Sequence, residues 1–179
     1  MSNHSIDMAF IARLEGGPAM RGYVPDPEHS RSGVTIGTGF DLGQQKNLNM
    51  LPQDLSDRLA PYLGLIGAKA VARLQTLPLA VSADDARRID EAYKAPFIER
   101  LTRDYSIAAG RPFDALPPAM QTVIASVAFQ YGNLAVRTPK FWAQVVAADW
   151  KAAESNLRNF GDRYATRRGK EADLLASAV

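Results

Sequence analysis

Two acidic side chains stand where the pattern of the chain changes, and their types suit acid–base chemistry. Glu15 ends an apolar-periodic segment and is followed at once by Gly16-Gly17. Asp41 closes a glycine-rich stretch, Ser32-Gly33-Val34-Thr35-Ile36-Gly37-Thr38-Gly39-Phe40-Asp41-Leu42-Gly43. Acid–base cleavage of a glycosidic bond needs a protonated carboxyl to assist the leaving oxygen, and a second carboxylate that activates water or attacks the sugar. Two acids in unlike surroundings meet that need. Glu15 stands at the C-terminal edge of a helix, where the helix dipole opposes negative charge, and Asp41 follows a hairpin. Asp41 is also a ready cap for a helical segment beginning near Leu42, and the two roles are compatible.

The elements that position these residues follow from periodicity and punctuation. Ile6, Phe10 and Leu14 recur every four residues and predict a helix over about 5–14, stopped by Gly16-Gly17. From Gly22 to Phe40 the pattern is that of a small β-hairpin or sheet. Its glycines at 33, 37 and 39 exceed what a core strand would carry, and point to backbone that bends or comes close to a ligand. Asp26, between Pro25 and Pro27, reads as a turn residue.

Beyond Gly43 the pattern is helical, with short segments near 52–62 and 65–75. Ser82 with Asp85 three residues on forms a capping pair that opens a long helix through about Tyr105, which Pro96 is expected to kink. A further helix starts at Pro117-Pro118 and ends at Tyr131-Gly132-Asn133. Phe141, Trp142, Val145, Val146 and Trp150 lie at helical spacing and read as a core face, with both tryptophans as core anchors. A closing helix over 163–175 is basic at its start, so that Arg167 and Arg168 can reach a cleft. There is no internal repeat and no low-complexity tract.

Composition narrows the chemistry. The 179 residues are 46% hydrophobic and 22% charged, the balance of a globular chain that buries a core without help. Lys and Arg number 21 against 19 Asp and Glu, and the resulting net charge of +2 is too small to mark a nucleic-acid binder. It suits approach to an anionic polymer. Cysteine is absent, which excludes disulfides, a thiolate nucleophile and thiolate metal sites. His4 and His29, the two histidines, cannot supply a zinc cluster or a Ser-His-Asp triad. The N-terminus has neither a basic region nor an apolar run, so no signal peptide and no membrane insertion are expected.

Leu14-Glu15-Gly16, then Gly22-Tyr23-Val24-Pro25, then Ser32 to Gly43, taken in that order, resemble the activity domain of the pesticin family, bacteriocins related to phage-type lysozymes. Ala128-Phe129-Gln130-Tyr131-Gly132 and Asp149-Trp150-Lys151-Ala152-Ala153 resemble core segments of phage lysozymes, so the likeness spans nearly the whole chain. The resemblance implies an α+β, mostly helical, phage-lysozyme-like fold. It would be a single catalytic domain over 1–179, with a small lobe of about 15–80 carrying the β-hairpin. A helical lobe of 1–14 and about 81–179 would be joined to it by the long helix, the cleft lying between them.

It also implies a muramidase that needs no cofactor and no metal. Glu15 would be the general acid, with Thr35 and Asp41 holding the attacking water and inversion at the sugar carbon. The phage branch carries its aspartate between the glutamate and the threonine, the pesticin branch after the threonine. Asp26 occupies the first place and Asp41 the second, which leaves Asp26 as the alternative second carboxylate. Tyr23 and Gln130 are candidates to line a saccharide site, and Arg168, or Arg167 beside it, to pair with Glu15 near the substrate. The implied partner is peptidoglycan, with an immunity or inhibitor protein as a further candidate. The chain would act as a monomer on the cell wall after delivery by another system. A lytic transglycosylase and a catalytically inactive lysozyme-like binding module are the rival readings.

Overall fold

A computed structural model describes residues 4–179. Its elements gather around two apolar cores and form two compact units: Glu15–Ala95, and the segment up to Leu14 together with Pro96–Val179. The chain is α+β and mostly helical, as expected.

The unit Glu15–Ala95 contains the sheet. Strands β1 (Ala19–Tyr23), β2 (Thr35–Gly37) and β3 (Phe40–Asp41) are antiparallel and lie in the order β1-β2-β3. Gly37 and Gly39, both with positive φ, allow the chain to reverse around Thr38. The sheet begins at Ala19, three residues ahead of the expected Gly22. The outer edge of β1 is also paired: the Gly22 amide donates to the Leu79 carbonyl (3.0 Å) and the Val81 amide to that of Met20 (2.9 Å). Pairing on both edges draws Ala-Met-Arg into a strand that its own propensity does not announce.

Val34, Ile36, Phe40 and Leu42 from the hairpin meet Leu55 and Leu59 of α2 (Gln53–Leu59), together with Ala70 of α3 (Gly67–Thr76). Gly33 and Gly43 pack backbone to backbone here. A Cβ on Gly33 would stand 2.4 Å from both the Gly43 Cα and the Leu65 carbonyl oxygen, and no side chain fits. The long helix α4 (Ala83–Ala109, 27 residues) is capped as expected, the Ser82 hydroxyl accepting the Asp85 amide at 3.0 Å. It continues through Pro96 and past Tyr105; its residues to Ala95 belong to the sheet unit.

The other unit is helical throughout. Helix α1 (Met8–Leu14) starts later than expected, because Asp7 caps it by accepting the Phe10 amide at 2.8 Å. Its fully buried residue is Ile11, while Ile6 ahead of the helix is buried in the same core and Phe10 packs partly buried against it. Helix α5 (Pro118–Tyr131) is buried on every side from Met120 to Ala128, its polar Gln121, Thr122 and Ser126 all hydrogen-bonded, and ends at Gly132 with φ 76°. Four further helices follow: α6 (Leu134–Arg137), α7 (Pro139–Val146), α8 (Trp150–Arg158) and α9 (Ala165–Ala176). The aromatic run at 141–150 is split between α7 and α8 at Ala148, whose φ is 58°, and Asp149 restarts the helix by accepting the Ala152 amide at 3.1 Å.

Candidate active site

Strand register brings three of the expected residues into one row. Tyr23 on β1 is opposite Thr35 on β2, and Thr35 is opposite Asp41 on β3. Residues directly opposite in an antiparallel sheet project from the same face. Tyr23 at one end of the row is exposed, Thr35 in the middle is 3% exposed, and Asp41 is half-buried.

Both hydrogen bonds that the Asp41 carboxylate accepts from backbone amides fall on one oxygen. Its Oδ1 accepts both the Gly33 amide (2.9 Å) and the Gly43 amide (2.8 Å), the second of which caps the helical turn Leu42–Gln44. Oδ2 carries no hydrogen bond among the described residues. The Thr35 hydroxyl donates to the Gly33 carbonyl at 3.3 Å, and a hydroxyl that donates once can still accept. The two amide bonds, one of them the turn cap, therefore occupy a single atom of the carboxylate.

Glu15 lies in the turn between α1 and β1, where Gly16 and Gly17, both with positive φ, redirect the chain. Its side chain is 25% exposed and opens on a concavity of about 500 Å³. Tyr23 and the hairpin turn Gly37-Thr38-Gly39 line that concavity with it. Tyr23 thus belongs both to the Glu15 concavity and to the Thr35–Asp41 row.

Asp26 sits in its Pro-Asp-Pro turn with φ 40°, exposed, its Oδ1 bonded to the amide (3.3 Å) and the Nδ1 (2.9 Å) of His29. That is the local turn chemistry expected of aspartate. Gln130 and Arg168 are brought together in the helical unit. The Arg168 guanidinium, 1% exposed, donates to Gln130 Oε1, to Glu171 Oε2 and to Asp162 Oδ2, and lies over the rings of Tyr131 and Phe160. Burial alone would raise the Asp162 carboxyl. Hydrogen bonds from the Tyr131 hydroxyl, the Tyr164 amide and Arg168 outweigh that effect and hold it below its usual value.

Two residues that hold the hairpin turn beside Glu15 were not foreseen from sequence. Lys94, 7% exposed, donates from Nζ to the Thr38 hydroxyl at 2.6 Å and stands 3.4 Å from Glu15 Oε2. Asp90, 8% exposed, accepts the Thr38 amide at 2.9 Å. The only sequence signal was the four-residue spacing of Asp90 and Lys94, which on a charged helix reads as a surface ion pair.

The concavity offers a carboxyl, and the sheet row offers a second carboxylate with an open oxygen beside a hydroxyl. Groups of these types can serve in acid–base chemistry and hold a water molecule by hydrogen bonds. Among the described residues no group of three or more His, Asp or Glu side chains is arranged to hold a metal ion, and no helix is long and apolar enough to cross a membrane.

Compared with known protein families, residues 5–151 match the one described as "Pesticin: Bacterial toxin homologue of phage lysozyme, C-term". Comparison with curated proteins returned no match.

Proposed function

The chain belongs to the pesticin family of phage-lysozyme homologues, which supports a peptidoglycan-degrading enzyme, and on that premise we propose that it is a muramidase. It hydrolyses the β-1,4 bond between N-acetylmuramic acid and N-acetylglucosamine. Glu15 donates its proton to the bridging oxygen as the bond to the anomeric carbon breaks. Water held at the open oxygen of Asp41 and by the Thr35 hydroxyl attacks that carbon from the opposite face, gives its proton to Asp41, and leaves the sugar inverted. Tyr23 flanks the sugar at the exposed end of the row. The family description, a bacterial toxin, suits an antibacterial agent that works as a monomer on the cell wall after delivery from the cell that makes it, with an immunity protein as its natural counterpart.

The observation that carries the reading is the register Tyr23–Thr35–Asp41, with Tyr23 shared between that row and the Glu15 concavity. The test is the mass of the fragments released from purified peptidoglycan. Hydrolysis leaves a reducing N-acetylmuramic acid. An anhydro-sugar, lighter by one water, would make the protein a lytic transglycosylase, and binding without release would make it a lysozyme-like binding module. Glu15→Gln is expected to abolish release while the circular dichroism spectrum is kept, because the acid is lost at nearly constant volume.

A further inference from the structure

We propose that Asp90 and Lys94 are positioning residues for Glu15: one turn apart on α4, they clamp Thr38 from two sides and, through it, set the wall of the Glu15 concavity. The inference deepens the muramidase reading and, for its kinetic part, rests on it. Residues four apart on a helix share a face, and both of these charged side chains are more than nine-tenths buried on that face.

Each reads a different part of the same residue. Asp90 Oδ1 accepts the Thr38 backbone amide at 2.9 Å, and Lys94 Nζ donates to the Thr38 side-chain oxygen at 2.6 Å. The carboxylate reaches the amide because position 37 is glycine. A Cβ there would stand 2.6 Å from Asp90 Oδ1, and φ at Gly37 is +61°. The ammonium that binds Thr38 also stands 3.4 Å from Glu15 Oε2, so one cation ties the hairpin turn to the carboxyl.

Burying two charges costs stability unless their hydrogen bonds are well made, and apolar side chains would close a hairpin turn at lower cost. The same two charges gain a purpose if the Glu15 carboxyl must be held in one orientation. An error of about 1 Å in a reacting group is enough to cost on the order of 100-fold in rate.

The experiment uses the full chain and soluble peptidoglycan glycan fragments as substrate, with kcat and KM measured separately and thermal unfolding as control. Thr38→Val removes the lysine's anchor at nearly constant volume on a partly exposed turn. It is expected to lower kcat about tenfold with KM within about twofold, while Thr38→Ser, which keeps the hydroxyl, restores kcat. Lys94→Met is expected to lower kcat by about 10- to 100-fold, again with little change in KM. A crystal structure of Lys94→Met is expected to show the Glu15 carboxyl turned away from the Thr38–Gly39 turn.

Wild-type kcat in Thr38→Val, or equal loss in Thr38→Ser and Thr38→Val, would overturn the clamp. An unmoved Glu15 in the Lys94→Met crystal would overturn it too, even if the wild-type protein released no fragments and the muramidase reading had fallen. If Lys94→Met does not fold, the same crystallographic comparison is made on Thr38→Val.

Discussion

Asp41→Asn should separate the two jobs of one carboxylate. Oδ1 accepts the Gly33 and Gly43 amides at 2.9 and 2.8 Å, and Oδ2 is open. An amide side chain keeps an oxygen that accepts both bonds in neutral form and replaces the other oxygen by NH2, which accepts nothing. Hydrogen bonds to a charged acceptor contribute about 1.5–3 kcal/mol each and neutral ones about 1. This residue is only half-buried, so the charged values are discounted for solvent screening. Asparagine should then cost about 1 kcal/mol and alanine, which strands both amides, about 2–4 kcal/mol. For a chain of this size those losses lower Tm by about 2–4 °C and about 5–15 °C.

Activity should behave differently: both variants lose the open oxygen, and kcat on peptidoglycan fragments should fall by about 10²- to 10⁴-fold in each. Asp26→Asn, in an exposed turn, is the control and should leave both Tm and kcat near wild type. The division of labour is refuted if Asp41→Asn lyses at a near-normal rate, or if it unfolds as early as Asp41→Ala. A variant of Asp26 more harmful than that of Asp41 would move the second carboxylate to position 26.

Other expectations concern stability. Arg168→Met leaves Asp162 without its cation and the fully buried Glu171 with Arg167 alone, and should cost about 3 kcal/mol by denaturant titration; a change below about 1 kcal/mol would show that the Arg168 network is not what holds α9 to α5. The Arg58 guanidinium holds the Asp85 carboxyl below its ordinary value, and Arg88 does the same to Asp54. A carboxyl depressed in the folded state stabilises above its unfolded value and loses that contribution as pH falls through the folded one. Tm should therefore decline on acidification below about pH 4, less steeply in Asp85→Asn and at high salt, and an unchanged slope in that variant would assign the acid limit to other groups.

Much of the fold was legible where a few neighbouring residues decide the outcome. The Ser82 cap, the Pro117-Pro118 start, the Gly132 stop and the hairpin around Gly37 and Gly39 each depend on local chemistry. Where distant partners decide, the pattern misled. Helix α1 starts at Met8 because Asp7 caps it, its fully buried residue is Ile11, and β1 is recruited at Ala19 by pairing with residues 79–81.

The same division runs through the candidate site. Thr35, Asp41 and Tyr23 could be named because they stand in contiguous segments, Gly22 to Pro25 and Ser32 to Gly43, that resemble the pesticin family. Thr38 contacts Asp90 and Lys94 across 52 and 56 positions, a distance over which a charged helix shows only that it is charged.

Gly37 shows what a glycine discloses and what it withholds. Its place beside a strand signalled backbone that bends or is closely approached, and the group that approaches from within the chain is the Asp90 carboxylate. Missing side-chain volume tells a reader that space is needed; only the partner's position says whether that space serves binding or the rigidity on which binding depends. At Gly37 the space is taken by the Asp90 carboxylate, and the residue it holds, Thr38, lines the concavity together with Glu15, Gly39 and Tyr23.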